Sequence, residues 1–161
     1  MSPQHALAAT LLPPEPDETL ELDEVWSYVG SKKNPVWIWI VLCRRTRQVV
    51  AWMWGDRSAD TCAMLWAKVP DNYKHALCYS DLHGAYQKVL DPKQHQACGK
   101  EEGQTNHVER FNLTLRQRLS RFVRKTLAFS KSLFMHIVCL RLFFHSYNQD
   151  QDRRHIKSCL P

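Results

Sequence analysis

The sequence lacks the motifs of several common protein classes. None of its six cysteines forms a Cys-x-x-Cys pair, so neither a zinc ribbon nor a thioredoxin-type redox site is indicated. It has no glycine-rich phosphate loop, which argues against ATP dependence. It has no secretory signal, and its apolar runs at 36–43 and 133–144 are too short or too interrupted to span a bilayer. We therefore expect a cytoplasmic protein with reduced cysteines and no membrane contact.

Charge of one sign is missing from two long stretches. Residues 1–31 hold six acids and no lysine or arginine, whereas residues 110–149 hold eight lysines and arginines and no acid. A basic field of this kind attracts a polyanion, and the phosphate backbone of a nucleic acid is the natural candidate. A solvated helix face without a partner would have the same composition.

Composition divides the chain into three parts. Residues 1–19 are rich in proline and acid, which is typical of a linker. Residues 20–149 are long enough to form one domain with its own core, and residues 150–161 are expected to form a polar C-terminal tail.

Three strands are predicted at the start of the domain. Strand-like patterns at 20–29, 36–42 and 49–54 are separated by turn residues at 30–35 and 44–48, which predicts an antiparallel meander. The second and third strands are apolar on both faces, so we expect helices to cover the sheet on both sides.

The remaining elements alternate helices with short strands. We expect a helix capped by Ser58 that runs to about Val69, a buried strand at 75–79, a helix at about 83–90 and a brief strand near 95–98. Apolar residues recur at helical spacing from Thr105, at positions 108, 111, 115, 119 and 122. Ser130 is expected to cap a last helix to about Tyr147, with a hydrophobic staple between Phe129 and Phe134. This order predicts an α/β fold with a ribonuclease H-like mixed sheet flanked by helices.

Three acids lie where predicted elements begin or end: Asp23, Asp81 and Glu109. In this fold the first strand neighbours the fourth, and the helix that carries Glu109 can cross above them. Clustered carboxylates need a countercharge, and hard oxygen ligands favour Mg²⁺ or Mn²⁺. Two such ions support in-line phosphodiester chemistry, with Asp23 bridging both and Asp81 and Glu109 holding one each. Taken singly, each acid could instead be a strand-edge acid, a helix cap or half of a surface ion pair.

Polar and basic residues that lie along this predicted helix and just after it are expected to contact DNA. Arg116 lies seven residues after Glu109, about two helical turns, so it should point the same way and bind a phosphate near the metals. Asn106 is also expected to contact DNA, and salt-dependent, sequence-independent affinity is expected from Arg118, Arg121, Arg124 and Lys125.

Three motifs together resemble the DDE transposases of bacterial insertion elements, specifically the InsB-type family. They are LDEVWSYV at 22–29, YSDLHGAY at 79–86 and the run from 103 to 131 that begins GQTNHVERFN. The resemblance extends from the proline-rich linker to about Asn148. It implies a catalytic triad of Asp23, Asp81 and Glu109, nicking of element ends, joining of the freed 3′-hydroxyl to target DNA, and oligomers assembled on paired ends.

Full-length members of that family carry an upstream zinc-finger and helix-turn-helix region, often supplied by a neighbouring reading frame. This chain begins inside the linker, so an upstream DNA-binding protein is an expected partner. We expect a nucleoid-associated transposase catalytic subunit. A catalytically silent DNA-binding or regulatory fragment and a stand-alone nuclease of the same fold remain alternatives.

Overall fold

The protein is built on a five-stranded mixed sheet. The computed structural model describes residues 7–122 and 127–158. The strands are β1 (Thr19–Val29), β2 (Ser31–Cys43), β3 (Val49–Gly55), β4 (Leu77–Ser80) and β5 (His95–Ala97). Their order is β3-β2-β1-β4-β5, with β1, β2 and β3 antiparallel and with β4 parallel to both β1 and β5. The predicted α/β, ribonuclease H-like sheet is confirmed, including the adjacency of the first and fourth strands.

Helices cover both faces of this sheet. They are α1 (Ala59–Lys68), α2 (Gly84–Val89), α3 (Asn106–Arg118) and α4 (Leu133–Ser158). Short 3₁₀ turns occupy Asp71–Tyr73, Lys100–Glu102 and Ser120–Phe122. Ser58 caps α1 as predicted, because its hydroxyl accepts a hydrogen bond from the amide of Thr61. None of the helices in the described parts of the chain has the length and apolar character needed to cross a membrane.

The alternation of side chains along the strands creates two separate cores. On β2, Trp39 and Val41 pack with Leu65 of α1 and Tyr86 of α2. The alternate residues of β2 face the other side and pack with α3 and α4, in a cluster that includes Ile38, Ile40, Phe111 and Phe144. Four cysteines are buried and unpaired, which fits their predicted role as small core residues: Cys43, Cys62, Cys78 and Cys98. The sheet is therefore held rigidly from both faces, as the apolar strands predicted.

The turn between the first two strands is tighter than predicted. Gly30 has a φ of 73°, a conformation that glycine adopts without steric cost, and it reverses the chain at once. Residues 31–35 are exposed, yet they belong to β2, with Ser31 opposite Val29 and Pro35 opposite Tyr28. The prediction of a six-residue turn at 30–35 is wrong because one left-handed glycine suffices.

The last two helices also depart from their predicted ends. Helix α3 ends at Arg118, although Phe122 in the following 3₁₀ turn is still buried in the same core. Helix α4 continues eleven residues past Tyr147, to Ser158. Residues 148–158 are mostly polar but include no glycine or proline, so no helix-breaking residue interrupts α4 before Ser158.

Ser130 does not cap α4. Its hydroxyl is fully buried and lies 2.6 Å from Nδ1 of His136, while Phe129 packs on Tyr28. The ring of Phe134 is 73% exposed, so the predicted staple is absent. The helix begins only at Leu133, and Ser130 instead joins a buried polar chain in which Nε2 of His136 lies 3.1 Å from the Ser27 hydroxyl.

Candidate active site

Two neighbouring strands bring three carboxylates to one edge of the sheet. Strand β1 carries Asp23 and Glu24, and Asp81 directly follows β4. Because Glu21 is level with Tyr79 in this parallel pair, Asp23 is level with Asp81 two residues further on. Asp23, Glu24 and Asp81 each offer a carboxylate oxygen, and these atoms all lie within 4.8 Å of one another. Asp23 and Asp81 therefore lie side by side.

Helix α3 adds a fourth carboxylate to this edge. Glu109 and Arg116, two turns apart on the helix, both line the groove that contains Asp23 and Asp81. We call this groove, with its four acids Asp23, Glu24, Asp81 and Glu109, the acidic groove. Glu109 lines the acidic groove but does not belong to the 4.8 Å cluster. Of the three predicted acids, Asp23 and Asp81 therefore have oxygens within 4.8 Å of each other, and Glu109 lines the same groove.

Asn112 links α3 directly to Asp23. Its side-chain Nδ2 donates a 2.6 Å hydrogen bond to Oδ2 of Asp23. Asn112 is 9% exposed, and its Oδ1 is buried without a hydrogen-bond partner in the described structure. A buried oxygen without a hydrogen-bond donor costs free energy. Asn112 lines the acidic groove, so a cation or a donor bound there would offset this cost.

A second buried acid fixes the position of α3. Glu21 is fully buried and accepts hydrogen bonds from the backbone amides of His107 and Val108, at 2.9 and 3.0 Å. These amides belong to the first turn of α3, where the helix dipole favours a negative charge. Arg44 neutralises the same carboxylate at 2.7 Å. The N-terminal turn of α3, which carries Glu109, is thereby anchored to β1.

Glu24 is held by partners on the opposite face of the sheet. It is nearly buried, and its carboxylate accepts a 2.6 Å hydrogen bond from the Tyr86 hydroxyl and pairs with Arg57 at 2.6 Å. Burial and the nearby Glu24 charge raise the pKa of Tyr86 well above its ordinary value. The oxygens of Glu24 therefore already have hydrogen-bonding partners, although Glu24 lies within the cluster.

Asp23 is the acid of the cluster whose ionised form is most clearly destabilised by its surroundings. Burial raises its pKa to about 7, and the charges of Glu24, Asp81 and Glu109 add to the rise. The backbone amide of Glu24, which donates to Asp23 at 2.9 Å, opposes it. A nearby cation would favour the ionised form of this carboxylate and lower its pKa.

The donor set fits a hard divalent cation. The acidic groove offers carboxylate oxygens from both strands and from α3, and these are the ligands that Mg²⁺ and Mn²⁺ prefer. The unpartnered Oδ1 of Asn112 lies in the lining of the same groove. No thiolate lines the acidic groove, and its one amine, on Lys100, is no ligand for such an ion.

The structure separates the predicted DNA-contacting residues into different places. Arg116 lines the acidic groove, and its Nη1 donates to the backbone oxygen of Phe122 at 3.4 Å. Asn106 and Arg118 line a different groove, between α3 and α4. Arg121 lies elsewhere, 3.4 Å from the Ser130 hydroxyl. Arg124 and Lys125 lie outside the described residues.

Sequence reasoning missed three residues of this site: Glu21, Glu24 and Asn112. Asn112 could have been found, because it lies three residues after Glu109 on the same side of the helix. Glu21 and Glu24 gave no such signal, because acids in a strand ordinarily face solvent and only the three-dimensional structure shows that both are buried.

Comparisons with known proteins identify a family of similar sequences. Residues 19–148 match the model of the family described as IS1 transposase. The insertion element iso-IS1n protein InsB of Shigella dysenteriae is 37% identical over 127 residues, which cover 79% of this chain and 94% of that protein. The IS1 protein InsB of Shigella flexneri is 35% identical over 116 residues, which cover 72% of this chain and 86% of that protein. The IS1 4 protein InsB of Escherichia coli K12 is 34% identical over 116 residues, covering 72% and 67%.

Proposed function

The chain belongs to the IS1 transposase family, and from this premise we propose that it is a catalytic subunit that nicks element ends and joins the freed 3′-hydroxyl to target DNA. The observation that carries the proposal is the convergence of Asp23, Asp81 and Glu109 on one groove from two strands and a helix. A structural role alone would not require acids from three elements to line one groove.

We assign the metal ligands to Asp23, Asp81 and Glu109. A pair of Mg²⁺ or Mn²⁺ ions bound there would activate the attacking hydroxyl and stabilise the leaving oxygen. The charges of Asp81 and Glu109 both act on Asp23, which suits Asp23 as a ligand shared by two ions. Asn112 holds the Asp23 carboxylate in one orientation through its 2.6 Å hydrogen bond.

Glu24 is a competing candidate for the third ligand because it belongs to the 4.8 Å cluster. Its carboxylate is already bonded to Arg57 and Tyr86, and turning it toward a metal would break both of these short contacts. Glu109 has one described side-chain partner, the Thr105 hydroxyl at 3.0 Å, and this hydrogen bond is easily replaced. We therefore assign Glu109 to the metal and Glu24 to the support of the strand edge.

The basic residues would hold the substrate DNA. Arg116 borders the acids and is placed to contact a phosphate beside the reacting one. Asn106, Arg118 and Arg121, with Arg124 and Lys125, would add sequence-independent affinity. The protein would act at the nucleoid as a homo-oligomer on paired ends, with an upstream DNA-binding protein as a possible partner.

Nicking of supercoiled plasmid with Mg²⁺ or Mn²⁺ tests this proposal. Asp23→Asn, Asp81→Asn and Glu109→Gln should each reduce nicking roughly 100-fold or more, equivalent to about 2.7 kcal/mol of transition-state stabilisation. Asp71→Asn is the matched control, because Asp71 is an acid with a 97% exposed side chain far from the groove. It should nick as the wild type does.

Three outcomes distinguish the alternatives. DNA binding without metal-dependent nicking would identify a silent or regulatory fragment. Nicking without joining of a 3′-hydroxyl end to a second DNA would identify a nuclease. Full nicking by the three acid variants would refute the assignment of the ligands.

A further inference from the structure

A second groove borders α3, formed by residues other than those that face the acids. It runs between α3 and α4 and reaches the turn that joins β2 to β3. Four arginines line it, and we call it the arginine groove: Arg47, Arg110, Arg118 and Arg154. No acid is among the residues that line it.

The α3 residues of the two grooves lie on nearly opposite sides of the helix. Arg110 and Arg118 are eight residues apart, a little over two turns, so they share one side. Glu109 and Arg116 share the other side and line the acidic groove. One helix therefore separates four converging acids from four converging arginines.

The positive charges of the arginine groove are close together and incompletely satisfied. Nη1 of Arg47 is buried without a hydrogen-bond partner in the described structure. Burial lowers the pKa of Arg47, and the charge of Arg44 adds to this effect. Burial raises the pKa of the Tyr147 phenol, while Arg154, Arg118 and Arg47 all oppose that rise, so three cations act on one ring.

The carboxylate of Glu21, whose charge acts on Arg47, does not neutralise this groove. Glu21 attracts Arg47, but its oxygens already accept hydrogen bonds from Arg44 and from the first turn of α3. A buried guanidinium nitrogen without an acceptor is costly, and an anion in the groove that Arg47 lines would offset the positive charge.

The dimensions suit a nucleic-acid backbone. Arg110 and Arg118 are about 12 Å apart along the helix axis, and Tyr147 and Arg154 on α4 are about 10 Å apart. At about 3.4 Å of axial rise per nucleotide, each row spans roughly three phosphates of one strand. Planar guanidinium groups bind phosphate oxygens in pairs, which makes arginine the suitable residue at this site.

We propose that the arginine groove binds the sugar-phosphate backbone of duplex DNA at a distance from the reacting phosphate. This inference rests on the proposed function, since it supposes that DNA reaches the acidic groove on the other side of α3. Backbone contacts there would also restrain the helix that carries Glu109. The residues that this assigns to DNA for the first time are Arg47, Arg110 and Arg154.

Fluorescence anisotropy of a labelled duplex, measured in EDTA over a range of salt concentrations, tests the groove. Arg154→Gln and Arg110→Gln should each weaken binding roughly 3- to 10-fold at low salt and reduce the salt slope by about one unit. Both residues are exposed, so neither change should prevent folding. Arg47→Gln should also weaken DNA binding and reduce the salt slope. Arg47 has a left-handed backbone conformation, so this change also affects the stability of the turn.

Arg153→Gln is the matched control. Arg153 precedes Arg154 on the same helix, but its side chain is 73% exposed, lies 3.7 Å from Asp150 and does not line the groove. It should leave the salt slope unchanged. Wild-type affinity and slope in Arg110→Gln and Arg154→Gln, or equal losses in Arg153→Gln, would overturn the groove assignment.

Nicking at saturating DNA separates this inference from the proposed function. The groove variants should retain metal-dependent nicking once DNA is saturating, because no groove residue contacts the metals. If the wild type never nicks but Arg154→Gln still loses DNA affinity, the proposed function fails and the groove stands. If nicking occurs but the groove variants bind normally, the groove inference alone fails.

Discussion

At the scale of single residues, Asp23 governs the electrostatics of the acidic groove. Its pKa is raised to about 7 by burial and by three neighbouring carboxylates. An acid whose folded-state pKa exceeds its unfolded value binds more protons when folded, so the folded state loses stability as pH rises. For Asp23 this loss extends from about pH 4 to about pH 7 and is complete above it.

His136 acts in the opposite direction over part of the same range. It is fully buried and lies between two serine hydroxyls, and burial lowers its pKa to about 4, with a contribution from Arg121. A histidine with a depressed pKa must be neutral to stay folded, so it removes stability as pH falls from about 6.5 to about 4. The raw pH dependence of unfolding therefore mixes two opposing effects.

Comparison of the wild type with Asp23→Asn isolates the Asp23 contribution. In EDTA, the free energy of unfolding of the wild type relative to Asp23→Asn should fall as pH rises, by at most about 1.4 kcal/mol per unit between pH 4 and 7. Urea unfolding at several pH values measures this difference, to which His136 contributes equally in both proteins. Saturating Mg²⁺ should abolish the loss of wild-type stability relative to Asp23→Asn at pH 7. A difference that is flat with pH in EDTA would mean that Asp23 is ionised without a cation.

At the scale of elements, the position of α3 relative to β1 determines whether Glu109 can reach Asp23. Glu21 fixes that position through its contacts with Arg44 and with the amides of His107 and Val108. The helix macrodipole strengthens the contact, because the carboxylate meets the positive end of the helix.

Glu21→Gln should therefore loosen α3 specifically. We expect a loss of roughly 2–3 kcal/mol of stability, since Arg44 loses its buried partner but is itself partly exposed. Hydrogen exchange should accelerate at His107 and Val108 more than in α1, and Mn²⁺-dependent nicking should fall.

Glu18→Gln is the matched control for this change. Glu18 is also a nearly buried acid, paired with Arg45 at 2.7 Å at the start of the sheet, but it does not contact α3. It should reduce stability while leaving exchange in α3 close to that of the wild type. Equal exchange effects in the two variants would contradict the anchoring role of Glu21.

The sequence predicted elements better than their ends and their polar contacts. The strand order and the two-sided sheet followed from the apolar runs of β2 and β3, since residues apolar on both faces require cover on both sides. The proximity of Asp23 and Asp81 followed from that order. The sequence did not predict the reversal at Gly30 or the burial of the Ser130 hydroxyl. Both depend on strand pairing that local patterns do not encode.

At the scale of the whole molecule, charged residues are separated onto the two sides of α3 as well as along the sequence. The basic segment from 110 to 149 suggested one continuous surface, but α3 directs Arg116 toward the acids and Arg118 toward the arginine groove. Arg47 and Arg154 come from distant parts of the sequence and join the latter. This grouping could not be predicted, because it depends on how α4 packs against α3.

The two grooves suggest how one small domain can hold a polyanion beside a cluster of acids. Acids repel a phosphate backbone unless cations intervene, so affinity must come from positive charge nearby. The arginine groove would supply positive charge on the other side of α3, in addition to Arg116, which lies beside the carboxylates. DNA affinity in the absence of metal and catalysis in its presence would then depend on different residues.

The central claim is that Asp23, Asp81 and Glu109 form one divalent-metal centre. Anomalous diffraction from crystals grown with Mn²⁺ tests it most directly, because the signal locates the ions. The account predicts Mn²⁺ within about 2.0–2.3 Å of oxygens of Asp23 and Asp81, with Glu109 ligating an ion in the same groove. At saturating Mn²⁺, a groove without anomalous signal, or an ion held by Glu24 with Glu109 pointing away, would contradict it.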